Sequence, residues 1–219
     1  MVASSLVVAA VLIDTAVYNR VPILGGCGIR TFEKTKNKKT MEFDLRLQCP
    51  FTMMVIGPSS SGKSTLLTNL LAERQQLFTN PPVRTRLYYN VYQHTYDQML
   101  GRGLVDDFVE GMPTREDLQE FLGGHSSTCI IFDDLADQLS DAISELFTVG
   151  SHHMNTNVIV LAQNLFQQSQ VWRTCSRNTT YMVLMKSSRD PGQIAILNRQ
   201  MFPQKKNFLP SVCKYYWYI

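Results

Sequence analysis

Lys63 and Ser64 close the octapeptide Gly57-Pro58-Ser59-Ser60-Ser61-Gly62-Lys63-Ser64, the spacing G-x-x-x-x-G-K-[ST]. These residue types in this order suit one kind of chemistry. Glycines let backbone N–H groups wrap a chain of phosphates, and a helix N-terminus behind them adds partial positive charge. A lysine ammonium reaches the β- and γ-phosphates, and a serine hydroxyl ligates Mg²⁺. Residues 57–65, Thr65 included, are therefore expected to bind ATP, with Lys63 also acting in catalysis and Ser64 holding Mg²⁺.

A second cluster lies seventy residues later. Thr128-Cys129-Ile130-Ile131-Phe132 is a continuous apolar run that ends in Asp133-Asp134. The first acid would hold Mg²⁺ together with Ser64, and the second would polarise a water for attack on the γ-phosphate. The plainer alternative is an acid pair at a helix N-terminus. Gln163, at the end of another apolar run, is placed as a polar sensor between the two acids and the γ-phosphate, although a Gln at a strand end is otherwise unremarkable. Arg173, Arg177 and Arg189 are each candidates for an arginine finger, and the sequence does not choose among them. His152-His153 has no third ligand at useful spacing, so loop histidines are expected rather than a metal site. Tyr88, Tyr89, Tyr92 and Tyr96 read as strand and core packing.

The elements that must position these groups are legible in the hydrophobic pattern. Phe51 to Ile56 reads as a buried strand, and leucines at helical spacing follow from Thr65 to Arg74. Further strands are expected over 41–48, 86–92, 128–132, 157–162 and 180–185, with a short strand or turn over 106–111. Helices are expected from Thr114 to Leu122, with Thr114 and Asp117 as a cap, and over 138–149 and 193–201. Residues 14–40 read as loop, with Lys34, Lys36, Lys38 and Lys39 on a solvated stretch. Nearly all-apolar strands alternating with helices imply an α/β fold with a parallel sheet covered on both faces. Ligands then bind beyond the carboxyl ends of the strands, where Gly57, Asp133 and Gln163 all fall.

The whole chain sets bounds. Its 219 residues suffice for one sizeable α/β domain, and 44% hydrophobic with 18% charged residues is a globular composition. Net charge is only +3, but it is unevenly spread: residues 97–147 hold 12 acids and 2 bases, and residues 166–219 hold 8 bases and 1 acid. Five cysteines without C-x-x-C spacing argue for a reducing compartment, not a disulfide framework or a zinc site. The apolar run Leu6 to Ile13 is too short to span a membrane and reads as a buried element or an ill-defined gene start. An intracellular location, in cytoplasm, nucleus, viral factory or virion, is expected, without secretion or a membrane partner.

Several segments together resemble one family. These are Gly57–Ser64, Ile130 to Leu135, Leu146-Phe147-Thr148-Val149-Gly150-Ser151-His152-His153, and Ala162-Gln163-Asn164-Leu165-Phe166. Arg173 with Ser176 and Asn178, Tyr181 to Leu184, Lys186, Arg189-Asp190, and Arg199-Gln200 with Pro203 belong to the same set. They resemble the genome-packaging ATPases of Maverick/Polinton elements, adintoviruses and virophages, in the FtsK–HerA superfamily, with poxvirus packaging ATPases as more distant relatives. The resemblance covers roughly residues 50–204. It implies a RecA-like P-loop domain with an additional strand between the phosphate loop and the acidic strand. It also implies a homo-oligomeric ring, hexameric by preference, that pumps double-stranded DNA into a capsid and meets capsid proteins. Gln163 would be the sensor, and Arg173 matches a family arginine that acts in trans.

Residues 1–40 then form an N-terminal extension, 41–204 the ATPase domain, and 205–219 a short tail, truncated relative to the family. The chain departs from the family at Met154, where a basic residue is common, and at Arg177, where an apolar one is usual. A decayed or host-integrated copy that binds nucleotide without pumping DNA is the second reading. A small-molecule phosphotransferase is the third; it would carry an arginine-rich lid and no Gln after the acidic strand.

Overall fold

The computed structural model describes residues 10–14, 22–24, 29–31, 44, 46–124, 126–187 and 190–217. Its centre is a sheet of nine strands, in the order β3-β2-β1-β9-β4-β8-β7-β5-β6. Six of these, β4 (Thr52–Ile56), β5 (Arg84–Tyr89), β6 (Asp107–Glu110), β7 (Thr128–Asp133), β8 (Thr156–Ala162) and β9 (Tyr181–Met185), run parallel. The strand leading to the phosphate loop, β4, pairs with β8, and β8 pairs with the acidic strand β7. An additional strand therefore separates the two, as the RecA-like reading requires.

The other three strands are antiparallel additions. β1 (Ala10–Asp14) pairs with β9, β2 (Pro22–Leu24) with β1, and β3 (Ile29–Thr31) with β2. The hydrophobic pattern reads residues 14–40 as loop, so β2 and β3 correct that reading. Three-residue strands are too short to show a period-two pattern. The four lysines of that region lie outside the described residues. So does much of the strand expected over 41–48. Leu47, in its described part, bridges Phe78 instead of joining the sheet.

Strand periodicity sorts the core into two layers. Met54, Ile56, Ile130, Phe132, Val158, Val160, Met182 and Leu184 face one way. They meet α4 (Arg115–Leu122), α5 (Asp141–Glu145), α7 (Gln170–Arg177), α8 (Gly192–Met201) and α9 (Phe208–Trp217). Met53, Val55, Cys129, Ile131, Ile159, Leu161 and Val183 face the other way, against α1 (Lys63–Ala72) and α3 (Thr95–Gly101). Two further helices, α2 (Arg74–Leu77) and α6 (Ser151–His153), are short.

Local chemistry fixes several boundaries. Thr114 and Asp117 form a reciprocal capping box at α4, as expected. The helix expected over 138–149 is instead broken. A 3₁₀ turn over Ala136–Gln138 precedes α5, and a wide π-type turn, Leu146–Gly150, separates α5 from α6. Inserted π turns of this kind often sit near functional sites. The tail residues 208–217 form α9, with Leu209 and Cys213 in the core and Asn198 bridging α8 to its start through Lys205 O and Leu209 N.

Candidate nucleotide-hydrolysis site

Every expected ligand of the phosphates stands at the carboxyl end of the parallel sheet. The loop between β4 and α1 turns through left-handed backbone at Ser60 (φ 61°) and Gly62 (φ 93°). Gly57 is needed for a different reason. A Cβ there would lie 2.4 Å from the Cβ of Met185, at the end of β9. The loop thus passes against the neighbouring strand as closely as backbone allows. Ser64 and Thr65 lie in the first turn of α1, below a free helix N-terminus.

Lys63 Nζ donates to the carbonyls of Gly57 at 2.8 Å and Pro58 at 3.0 Å, lying across the mouth of its own loop. Burial pulls its pKa down, while the charges of Asp133 and Asp134 push it back up. Asp133, at the end of β7, is buried, and its Oδ2 accepts from the Tyr96 hydroxyl at 2.8 Å and from Gln93 Nε2 at 3.3 Å. Desolvation holds its carboxyl above the usual range, against the Tyr96 hydrogen bond and the Lys63 charge. The Ser64 hydroxyl donates to Gln93 Oε1 at 3.3 Å.

Asp134 takes the opposite course. Its backbone is left-handed (φ 57°), which turns the exposed carboxylate away from the strand. Gln163, at the end of β8, donates to Asp134 Oδ1 through Nε2 at 3.1 Å. The two acids are thus adjacent in sequence but held in different settings: one buried, fixed and linked to Ser64 through Gln93, the other exposed and tied to Gln163.

Two cavities flank these groups. One, of about 610 Å³, runs beside the loop between the ends of β4, β8 and β9, with Gln163, Met185, Lys186, Asp190 and Gln193 in its wall. The other, of about 220 Å³, is bounded by Asn90, Asp134, Gln138, Gln163 and Gln167. The oxygen donors at Ser64 and Asp133 suit a small hard cation such as Mg²⁺, and a nearly buried carboxylate is what such a cation would neutralise.

The sequence pattern described as "Poxvirus A32 protein" matches residues 38–213. The chain belongs to that family. Its fold is that of a P-loop domain, with the phosphate loop between β4 and α1. No curated protein matches the chain. Among solved structures, the cytoplasmic domain of EssC is 12% identical over 63% of this chain and 32% of that one, with a TM-score of 0.45. Thermomonospora curvata EccC, solved as its ATPases 2 and 3 with a signal-sequence peptide, is 14% identical over 65% and 31%, also at 0.45. A KaiC-like protein from Pyrococcus horikoshii is 10% identical over 62% and 72%, at 0.40. The chain thus spans about a third of the EssC and EccC structures it matches.

In this A32-family chain the expected residues do not all meet. Lys63, Ser64, Asp133, Asp134 and Gln163 do. Arg173, exposed on α7, donates to Gln168 O within its own segment and, among the described residues, bonds to no group of the site. Arg177 lies exposed in the last turn of α7, and Arg189 is outside the described residues. His152 and His153 are exposed on α6.

Two site residues escaped the sequence. Tyr96 is core, as expected of the tyrosine cluster, but its hydroxyl also serves Asp133. Gln93, on the segment between β5 and α3, carries no pattern of its own. The missing signal was strand order. Once β5 is known to pair with β7, the segment leaving β5 must emerge beside Asp133. No helix among the described residues is long and apolar enough to cross a membrane.

Proposed function

We propose that this chain is an ATP-hydrolysing motor that moves double-stranded DNA, packaging a viral or virus-like transposon genome into a capsid as a ring of identical subunits. The observation that carries the reading is the division of labour between the adjacent acids. Asp133 is fixed by Tyr96 and by Gln93, which links it to Ser64, and Asp134 is exposed and held by Gln163. A protein that only binds nucleotide has no use for the second, oriented carboxylate.

The chain's own groups have defined tasks in hydrolysis. Backbone N–H groups of residues 58–64 take the phosphate oxygens, and Lys63 exchanges its two carbonyl bonds for β- and γ-phosphate oxygens. Ser64 and Asp133 would hold Mg²⁺, which when bound neutralises charge on the phosphates. Asp134 accepts the proton of the attacking water, and Gln163 sets the carboxylate's orientation. No arginine among the described residues bonds to Ser64, Asp133, Asp134 or Gln163. A trans arginine from a neighbouring subunit, Arg173 by the sequence resemblance, would supply that charge.

DNA as the moved partner is supported by where the bases lie. Arg173, Arg177, Arg199, Lys205, Lys206 and Lys214 are exposed on or between α7, α8 and α9, which share one face of the sheet. Phosphate contacts need such cations without any reading of bases. The finer placement, with the Maverick/Polinton and virophage-like enzymes, is supported by the stretch from Leu146 to His153 and by Ala162 to Phe166.

The deciding experiment is the ATPase rate with and without duplex DNA, on one sample sized by light scattering. We expect hydrolysis that DNA stimulates, in an oligomer, and that Lys63→Ala abolishes. Hydrolysis indifferent to DNA would remove the motor reading, and nucleotide binding without hydrolysis would remove the ATPase mechanism itself.

A further inference from the structure

Gln93 stands between the two side chains suited to hold a cation. Its Oε1 accepts the Ser64 hydroxyl proton, and its Nε2 donates to Asp133 Oδ2, each at 3.3 Å. The Tyr96 hydroxyl donates to the same Oδ2 at 2.8 Å. Among the described residues no donor reaches Asp133 Oδ1.

The geometry points to Gln93 as the positioning residue of the cation site, an assignment that rests on the ATPase reading above. A hydroxyl ligates a cation through a lone pair, so its proton must be directed to another acceptor. Gln93 Oε1 is that acceptor. A carboxylate with two donors on one oxygen has its rotation fixed and leaves the other oxygen bare. Gln93 Nε2 and the Tyr96 hydroxyl are those donors. One primary amide thus orients both ligands at once, because it carries an acceptor and a donor on the same carbon. Outer partners of this kind tune how strongly a first set of ligands holds a metal.

The local fold explains how both donors arrive together. Tyr96 N donates to Gln93 O at 2.9 Å, so the two residues share the tight turn that opens α3. That turn comes directly after β5, which lies beside β7 and delivers it to Asp133. Glutamate at 93 would set a second carboxylate against Asp133, and leucine or methionine would supply neither donor nor acceptor.

The test is binding of a fluorescent ATP analogue, measured in EDTA and in Mg²⁺. In the wild type Mg²⁺ strengthens binding. In Gln93→Leu the EDTA affinity stays within about twofold, because the phosphate loop is untouched, and the Mg²⁺-dependent gain shrinks by about tenfold. Gln93→Met, equal in length to the native side chain, gives the same result and guards against a misfolded leucine variant. Equal losses in EDTA and Mg²⁺ for both variants would mark a merely structural role and overturn the assignment. So would a full Mg²⁺ gain in either variant. A wild type without any Mg²⁺ gain overturns the cation site and the hydrolysis mechanism together. A wild-type gain that the variants retain overturns the role of Gln93 alone.

Discussion

Gln163 Nε2 donates to Asp134 Oδ1 at 3.1 Å, joining the ends of two neighbouring parallel strands, β8 and β7. The bond is exposed, so its value lies less in stability than in orientation. A carboxylate on left-handed backbone at a strand end would otherwise sample several directions. Asp134→Asn should therefore lower kcat by about 10² to 10⁴ and leave nucleotide affinity within a few fold. Gln163→Ala should lower kcat by a smaller factor. Because the two act as a unit, the double variant should be no slower than Asp134→Asn alone. Steady-state kinetics with a parallel binding measurement would check this, and multiplicative losses would show that the residues act independently.

Gly57 and Met185 make a second paired prediction. A methyl group at 57 would meet the Met185 Cβ at 2.4 Å, and that Cβ is fixed to the backbone of β9 and cannot swing aside as the end of a flexible side chain would. Gly57→Ala should destabilise the protein by about 2 kcal/mol, in the range for overpacked sites. For a chain of this size that is a fall in Tm of about 4–8 °C. Met185→Gly in the same protein removes the opposing Cβ and should recover part of the loss. Thermal denaturation of the single and double variants decides it; an undisturbed Tm in Gly57→Ala would mean that the loop moves freely away from β9.

Much of this arrangement was legible in the sequence, and the unread parts share a cause. β4, β7, β8 and β9 are long apolar runs, and Gly57, Asp133 and Gln163 fall at the ends of the first three, so the pattern alone places the site. α3 and α7 leave no legible pattern because each spans two turns and buries only two residues, Tyr96 with Met99 and Trp172 with Cys175. That is too little for a helical period to stand out. α9 had a usable signal in Leu209, Val212 and Cys213, at positions i, i+3 and i+4, masked by the aromatic run after it. Gln93 had none, because its function depends on which strand β5 pairs with.

Buried thiols make stability depend on alkaline pH. Burial pushes Cys175 and Cys213 up to about 12, and raises Cys129 as well, from an ordinary value of 9.0. A group held above its unfolded value contributes stability that is complete below that value and is lost as pH rises toward the folded one. The thiol contribution should therefore be flat up to about pH 8 and fall beyond it, by about 1.4 kcal/mol per thiol at pH 10. Urea unfolding at pH 8 and pH 10 measures the difference. Cys175→Ala costs packing at both pH values but should reduce the pH 8 to pH 10 difference by one thiol's share. An unchanged difference would mean that the thiolate is accommodated in the folded state.

The charge distribution allows the DNA reading to be tested without reference to hydrolysis. Acidic residues gather toward the β6 edge, with Asp107 and Glu110 on that strand and Glu116, Asp117 and Glu120 on α4, while the exposed bases lie on α7 to α9 toward β9. Lys205 sits over the rings of Phe202 and Phe208, at 5.9 and 5.2 Å from their centroids, which places its ammonium above the α8–α9 junction. Lys206 is exposed beside it. If this face meets phosphates, each contact releases a counterion, and the slope of log K against log[salt] counts them. Neutralising both residues, Lys205→Gln with Lys206→Gln, should weaken binding of any duplex to a similar degree and make the slope shallower by about 2. Glu116→Gln with Glu120→Gln, at the acidic end, should leave the slope unchanged. Titrating a labelled duplex of arbitrary sequence at several salt concentrations reads both variants. A slope that moves with the acidic pair and not with the lysines would place the DNA on the opposite end of this face, and a wild type without salt-dependent duplex binding would take DNA out of the mechanism.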